Sequence, residues 1–299
     1  MNRRSFLTLT TTPFLERATA LAQTPRDPLA RMAVSTWSLH PLFSATRGRD
    51  VPDSALVKLT GFFKLVHDRW GIRNFEAVSV HFESSDWEYL TDVRKAVEEV
   101  KGRIHNIPCD IRGTNLSDDD DAKRRESVAA VKEWIDAAVL MGSPSIRCNT
   151  GRSKDSANLE PAVRSYRELA AYGAEKKVRV IIENHGGISG DAVKLVELIK
   201  TVNNPNLGTL PDFGNFPGDQ ARYPGLEMMF PYAQICHAKS IDFDEKGEMT
   251  TFDFGRCVAL AEKLGFRGIY SIEYEGKGDP YDGVTKTVAL LKRALATSK

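Results

Sequence analysis

The chain has 299 residues, 41% of them hydrophobic and 27% charged, which supplies a large core and is too polar for an integral membrane protein. Its 41 basic and 40 acidic residues leave a formal net charge of +1, so no field of one sign is available to draw in nucleic acid or a membrane surface. Cys109, Cys148, Cys236 and Cys257 lie far apart with no CxxC pair, which predicts buried free thiols and neither a zinc ribbon nor a required disulfide.

At the N-terminus, Asn2-Arg3-Arg4-Ser5-Phe6-Leu7 resembles a twin-arginine export signal, and Ala20-Leu21-Ala22 offers an A-x-A cleavage site. Glu16 and Arg17 interrupt the apolar stretch between them, so the competing reading is a plain N-terminal tail on a cytoplasmic protein. Residues 1–30 are therefore expected to be a signal peptide and linker that sends the protein to the periplasm or beyond, and residues 31–299 a single domain. No other run approaches the roughly 20 apolar residues that span a bilayer.

From about residue 30 the chain alternates short β-type runs with longer helical patterns. The apolar runs cover 32–39, 75–82, 103–111, 145–149, 178–183, 207–212, 233–239 and 268–273. Between them, Leu56, Leu59, Phe63, Val66 and Trp70 mark one helix face, and Val128, Val131, Trp134, Ile135 and Ala138 another. A further helix is predicted over 192–202, capped by Ser189, Gly190 and Asp191. The charge run from Asp118 to Asp121, followed by Lys123, Arg124 and Arg125, reads as a helix start with acids at its first turn. Gly71, Gly142, Gly173 and Gly265 are expected at helix ends, where a left-handed residue is often needed. Eight strands with intervening helices imply parallel pairing, and eight units in about 265 residues fit an α/β (β/α)8 TIM barrel. No G-x-G-x-x-G follows the first strand, so a dinucleotide crevice is unsupported.

In such a barrel, functional groups gather where strands end. Four of the later strand ends carry a metal-ligand type: Glu183 in VRVIIE, Asp212 in NLGTLPD, His237 in QICHAKS and Glu273 in GIYSIE. They are separated by 29, 25 and 36 residues, each step close to one βα unit, so they converge on adjacent strand ends. Three carboxylates and one imidazole form a hard, oxygen-rich set suited to one divalent ion, with Mn²⁺ first and Mg²⁺, Co²⁺, Fe²⁺ or Zn²⁺ also compatible. Further candidates at strand ends are Trp37, His40, His81, Glu83, Arg147, Asn149 and His185. For Trp37 the competing reading is packing, and for His81 and His105 it is a structural histidine. Glu76, mid-strand, is left outside the site, and His67 lies in a helix away from it.

The phrases IIENHGG, LPDFGNF, CHAKSIDF and GIYSIEYEG resemble the fifth to eighth strand ends of the xylose isomerase-like sugar isomerase/epimerase superfamily. The resemblance runs from about Met32 to Leu295. It implies that Glu183, Asp212, His237 and Glu273 bind the metal and that Glu183 and Glu273 are the catalytic residues, exchanging the substrate proton from opposite faces. It also bears on Asn215 and Lys239 as substrate contacts, beside Trp37, His81, Asn149 and His185, which are candidates from their strand-end positions. One position departs from the pattern: Asn215 stands where family epimerases commonly place a histidine three residues after the metal-binding aspartate. For Lys239 a pairing with Asp242 or Asp244 competes with a substrate role.

A metal that chelates a carbonyl and the neighbouring hydroxyl stabilises an enediolate, so the expected activity is isomerisation or epimerisation of a sugar-like α-hydroxycarbonyl. If a β-oxygen leaves instead, the same first step makes a lyase or dehydratase acting on a keto-sugar, keto-glycoside or inosose. The expected partner is a small carbohydrate, with no nucleic acid or membrane, and a homo-oligomer is compatible. A DNA-repair endonuclease of the same barrel type would need more His and Asp ligands and a basic face, and a non-catalytic binding protein would not need the complete ligand set.

Overall fold

The computed structural model describes residues 27–151 and 158–298, so the export signal expected at 1–30 lies almost wholly outside the described residues. Parallel strands β1 (Met32–Ser35), β2 (Asn74–Glu76), β3 (Arg103–Pro108), β4 (Ser145–Arg147), β5 (Arg179–Glu183), β6 (Leu207–Leu210), β7 (Ile235–Ser240) and β8 (Ile269–Tyr274) form one 8-stranded sheet. Each is followed by one helix: α1 (Leu59–Trp70), α2 (Trp87–Glu99), α3 (Asp121–Met141), α4 (Glu160–Lys176), α5 (Ala192–Val202), α6 (Asp219–Met229), α7 (Phe254–Lys263) and α8 (Pro280–Thr297). The ladder runs β6-β5-β4-β3-β2-β1-β8-β7. The ends meet at a thin seam, where only Thr209↔Ala233 and Asp212↔His237 are bridged. Pro211 lies in that seam; it has no N–H to donate, though its carbonyl still accepts from His237 N at 2.9 Å. The result is a single-domain (β/α)8 barrel.

Local chemistry fixes the elements. Asp120 caps α3 by accepting from the Ala122 and Lys123 amides, and Asp191 caps α5 in the same way through Val193 and Lys194. Helix α5 has the predicted bounds. Gly71, Gly142 and Gly265 adopt positive φ at helix ends, as expected. Gly173 does not: it sits inside α4, which ends at left-handed Lys177. A Cβ on Gly173 would lie 2.4 Å from the Val178 carbonyl, so its role there is close approach of helix to strand.

Several strands stop earlier than the apolar runs suggest. After Ser35 the chain turns into a 3-10 segment, Thr36–Leu42, that the Ser35 hydroxyl caps. After Val78 it forms a second, Ser79–His81. Trp37, His40 and His81 thus sit on turns beyond the strands. Leu56 falls before α1, which begins at Leu59. All four cysteines are free and buried, as expected.

The barrel interior follows from strand alternation. Ile181, Leu210 and Ile235 form an apolar cluster with Ile269 packed against it. Two residues further along the chain from the first three, on the same strand face, come Glu183, Asp212 and His237; Glu273 is four beyond Ile269. An apolar plug is thereby overlaid by a polar layer at the C-terminal end of the barrel.

Candidate metal centre

Glu183, Asp212, His237 and Glu273 are all buried, and each offers a ligand atom lying within 4.8 Å of the other three. His237 is at the centre. Its Nδ1 lies 3.0 Å from Glu183 Oε1, 3.3 Å from Asp212 Oδ2 and 3.3 Å from Glu273 Oε2. Its other nitrogen, Nε2, is 2.7 Å from Glu76 Oε1.

Each donor is held by its own surroundings. Asp212 Oδ1 accepts the backbone N–H groups of Gly214 and Asn215 at 2.7 and 2.9 Å, which fixes the carboxylate and leaves Oδ2 facing the cluster. The Asn184 amide clamps the Asp212 backbone from both sides, donating to its carbonyl and accepting from its N–H. Glu183 has both oxygens engaged. Oε1 accepts from Asn215 Nδ2 at 3.1 Å, and Oε2 lies 3.1 Å from Arg147 Nε and 3.4 Å from Asn149 Nδ2. Glu273 differs: its Oε2 sits 3.1 Å from Lys239 Nζ but makes no hydrogen bond of good geometry.

Lys239 is buried, with Nζ 2.9 Å from Asn215 Oδ1, 3.0 Å from Glu275 and 3.4 Å from Asp212. Its partners are therefore the site carboxylates, and no ion pair joins it to Asp242 or Asp244.

The electrostatics follow. Burial opposes the charge on Glu183, yet Arg147 and His237 outweigh it and hold the carboxyl well below its usual range. Burial, with Glu273 and Glu183 nearby, raises Asp212 despite Lys239. Burial disfavours the His237 imidazolium, but Glu273, Glu76 and Glu183 overcome this and raise it well above the ordinary value. Four buried carboxylates, counting Glu76, face the two fixed cations Lys239 and Arg147. Within this fully buried set a divalent ion with a neutral His237 closes the balance; the more exposed Asp110 and Glu275 also pair with Arg147 and Lys239, which adds to the excess of negative charge. Together with the unbonded Glu273 oxygen and the oxygen-rich donor set, this fits a hard divalent cation.

The proposed substrate contacts divide into three groups. Trp37, Asn149 and His185 line one cleft at the barrel mouth, together with Asp110, Arg112 and Gly187. Trp37 is half-buried, donates its indole N–H to Glu275 and stacks on His40 at 4.9 Å. His185 is exposed, directly ahead of left-handed Gly186 and Gly187. A Cβ on Gly187 would meet the Gly151 carbonyl at 2.2 Å, so glycine is required where these two loops pack. Asn215 and Lys239 face the donor cluster. His81 is apart from the cleft: it is buried, with Nδ1 2.8 Å from Thr36 Oγ1 and Nε2 3.0 Å from Thr46 Oγ1. Burial, aided by His40, lowers it to about 3, and burial lowers His105, bonded to Asn74, to about 4. Both have the surroundings of structural histidines.

Two site residues were out of reach of the sequence pattern. Glu76 ends β2 and touches His237; a lone acid in a three-residue strand gives no spacing signal. Glu275, two residues after Glu273, joins Lys239 to Trp37. The repeated E-Y-E of GIYSIEYEG was the only available hint.

Residues 63–294 match the family model described as xylose isomerase-like TIM barrel. The chain belongs to this family. Among solved structures, a xylose isomerase-like TIM barrel protein from Mycobacterium smegmatis in complex with magnesium is similar at TM-score 0.66 and 17% identity, covering 90% of this chain and 97% of that one. A D-allulose 3-epimerase from Methylomonas sp. is similar at TM-score 0.69 and 13% identity, covering 88% and 97%. At such identities the likeness shows the fold. A curated relative, the C-glycoside deglycosidase alpha subunit of Arthrobacter globiformis, is 38% identical over 77 residues, which span 23% of this chain and only 22% of that protein. No helix among the described residues is long and apolar enough to cross a membrane.

Proposed function

We propose that this protein is a divalent-metal-dependent isomerase or epimerase acting on a small sugar-like α-hydroxycarbonyl. The observation that carries the reading is the set of four buried ligand atoms within 4.8 Å of one another, joined to a cleft through its lining residue Asn149, 3.4 Å from Glu183. Glu183, Asp212, His237 and Glu273 would hold the ion, with Mn²⁺ the first choice. When bound, such an ion supplies Lewis-acid polarisation of a carbonyl and its neighbouring hydroxyl. Glu273 accepts the proton of the adjacent C–H, and Glu183 delivers one from the opposite face. Asn215 and Lys239 orient substrate oxygens, and the Trp37 face covers the ring. Export through residues 1–30 belongs to the same proposal.

A second reading, a lyase or dehydratase on a keto-sugar or keto-glycoside, is favoured by the asymmetry of the two glutamates. Glu183 has both oxygens committed, whereas Glu273 keeps one unbonded. Asn215 can donate a hydrogen bond but cannot relay a proton. Elimination needs a base on one face only. The proton next to the carbonyl passes to Glu273, a C=C bond forms as the C–O bond at the β-carbon breaks, and the departing oxygen takes up a proton from Glu273 or from water. The stretch similar to a C-glycoside deglycosidase subunit supports this reading as well.

Incubating the Mn²⁺-loaded protein with ketoses, inososes and keto-glycosides in D₂O separates the two by NMR. Deuterium incorporated with the carbon skeleton and every oxygen retained supports the isomerase or epimerase. An unsaturated product with a released alcohol or water supports the lyase. Absence of both exchange and any unsaturated product across the panel with each candidate metal would reject both.

A further inference from the structure

Resting on the metal reading, we infer that Glu76 and Asn106 form a positioning pair that sets the tautomer of His237, so that its Nδ1 lone pair faces the ion. Glu76 and Asn106 are fully buried register partners on β2 and β3, and both side chains project into the barrel. Glu76 Oε1 takes His237 Nε2 at 2.7 Å, the shortest polar contact of that ring. The other oxygen, Oε2, accepts Asn106 Nδ2 at 3.1 Å. The Asn106 amide is oriented in turn by the Ser145 hydroxyl, 2.9 Å from its Oδ1.

A carboxylate can only accept, so His237 Nε2, turned to Glu76, carries a hydrogen. Nδ1 is turned to Glu183, Asp212 and Glu273, which are acceptors as well, and its hydrogen is the one a bound ion would displace while Glu76 keeps the hydrogen on Nε2. Outer partners of this kind fix ring orientation and raise ligand basicity in metal sites. Glu76 has no lysine or arginine ion pair among the described residues; its one ion pair is with His237. A buried carboxylate is a costly way to fill barrel volume, which ties its presence to that imidazole.

Asn106 makes E76Q informative. Its Nδ2 faces residue 76, so the new amide turns its carbonyl to Asn106 and its NH₂ to His237 Nε2. That pushes the ring hydrogen onto Nδ1, against the metal. E76Q is therefore expected to weaken Mn²⁺ binding about 10- to 100-fold by titration calorimetry. In E76Q/N106D the new carboxylate accepts the amide NH₂, which frees the amide carbonyl to take Nε2–H again, and most of the lost affinity returns. On ¹⁵N-histidine-labelled, Zn²⁺-loaded protein, NMR should show His237 protonated at Nε2 in wild type and in the double variant. Wild-type affinity in E76Q, or no recovery in E76Q/N106D while its thermal melt matches that of E76Q, would overturn the inference. If wild type itself binds neither Mn²⁺ nor Zn²⁺, the metal reading fails first, and this result is distinguishable because it appears before any substitution is made.

Discussion

The two halves of the barrel contribute unlike things to one site. Strands β5 to β8 and their ends supply the four candidate ligands, each lying one βα unit from the next. Strands β1 to β4 supply no ligand but hold the ligands: Glu76 on His237, Arg147 and Asn149 on Glu183, and Trp37 above the cleft. Donors are dictated by position along a strand, whereas the supports from β1 to β4 reach them across the barrel and add to the local ones that Asn184, Gly214 and Asn215 supply. The contrast also makes the halves separable by experiment, since ligand losses should act on chemistry and support losses on stability, affinity or KM.

The largest effect is expected in the ligand half. E273Q removes the carboxylate with an unbonded oxygen, and loss of a positioned base lowers kcat by about 10²- to 10⁴-fold. Proton exchange with D₂O, followed by NMR on the turned-over substrate, measures it. An unchanged exchange rate would remove Glu273 from the mechanism and weaken the contrast between the halves. R147M tests the other side. Arg147 and Glu183 are both buried, at 6% and 2% side-chain exposure, so deleting the guanidinium removes the cation on Glu183 Oε2 and leaves His237 alone beside that buried carboxylate. The metal-free variant should lose about 3 kcal/mol in urea unfolding. Added metal should recover part of that loss by neutralising the same carboxylate.

This division explains what could be read from the sequence. Eight β-type runs, three helix faces and the ligand set were legible because periodicity and spacing follow directly from strand and helix geometry. Strand ends were not: Trp37 and His81 sit in apolar stretches that continue past the last ladder bond into 3-10 turns. Glu76, read from the sequence as a mid-strand barrel residue outside the site, touches His237, 161 residues away, and local sequence carries no trace of that contact. Lys239 could equally have paired with nearby Asp242 or Asp244. Only the pairing of β7 with β8, which puts Lys239 in register with Glu273, decides for Glu273 and Glu275.

His81 supplies a smaller, pH-dependent test of the supporting half. Burial first, then His40, lowers it to about 3, against 6.5 in an unfolded chain. Above pH 6.5 it is neutral in both states and adds no pH dependence. As pH falls from 6.5 toward 3, the unfolded chain binds a proton that the folded one refuses, so stability drops by up to about 1.4 kcal/mol per pH unit from this group. Urea unfolding of metal-free H81Q at pH 7, 6 and 5 should show a shallower decline than wild type. His105, held down to about 4, remains in both proteins and accounts for part of the slope that persists. Equal slopes would mean that His81 is protonated in the folded protein and is available to the cleft after all.

The smallest expected effect falls on Trp37, the supporting-half residue that lines the cleft. Its indole N–H is anchored on Glu275, whose other oxygen holds Lys239, so the ring and the ammonium are positioned by one carboxylate. W37F keeps an aromatic face and loses the anchor; W37A loses both. Stacking of this kind contributes about 0.5–1.5 kcal/mol, so W37A should raise KM by about twofold to tenfold with kcat little changed. W37F should fall between W37A and wild type if the anchor matters. A kcat loss as large as that of E273Q would instead place Trp37 in the chemistry and erase the division between the half that reacts and the half that holds.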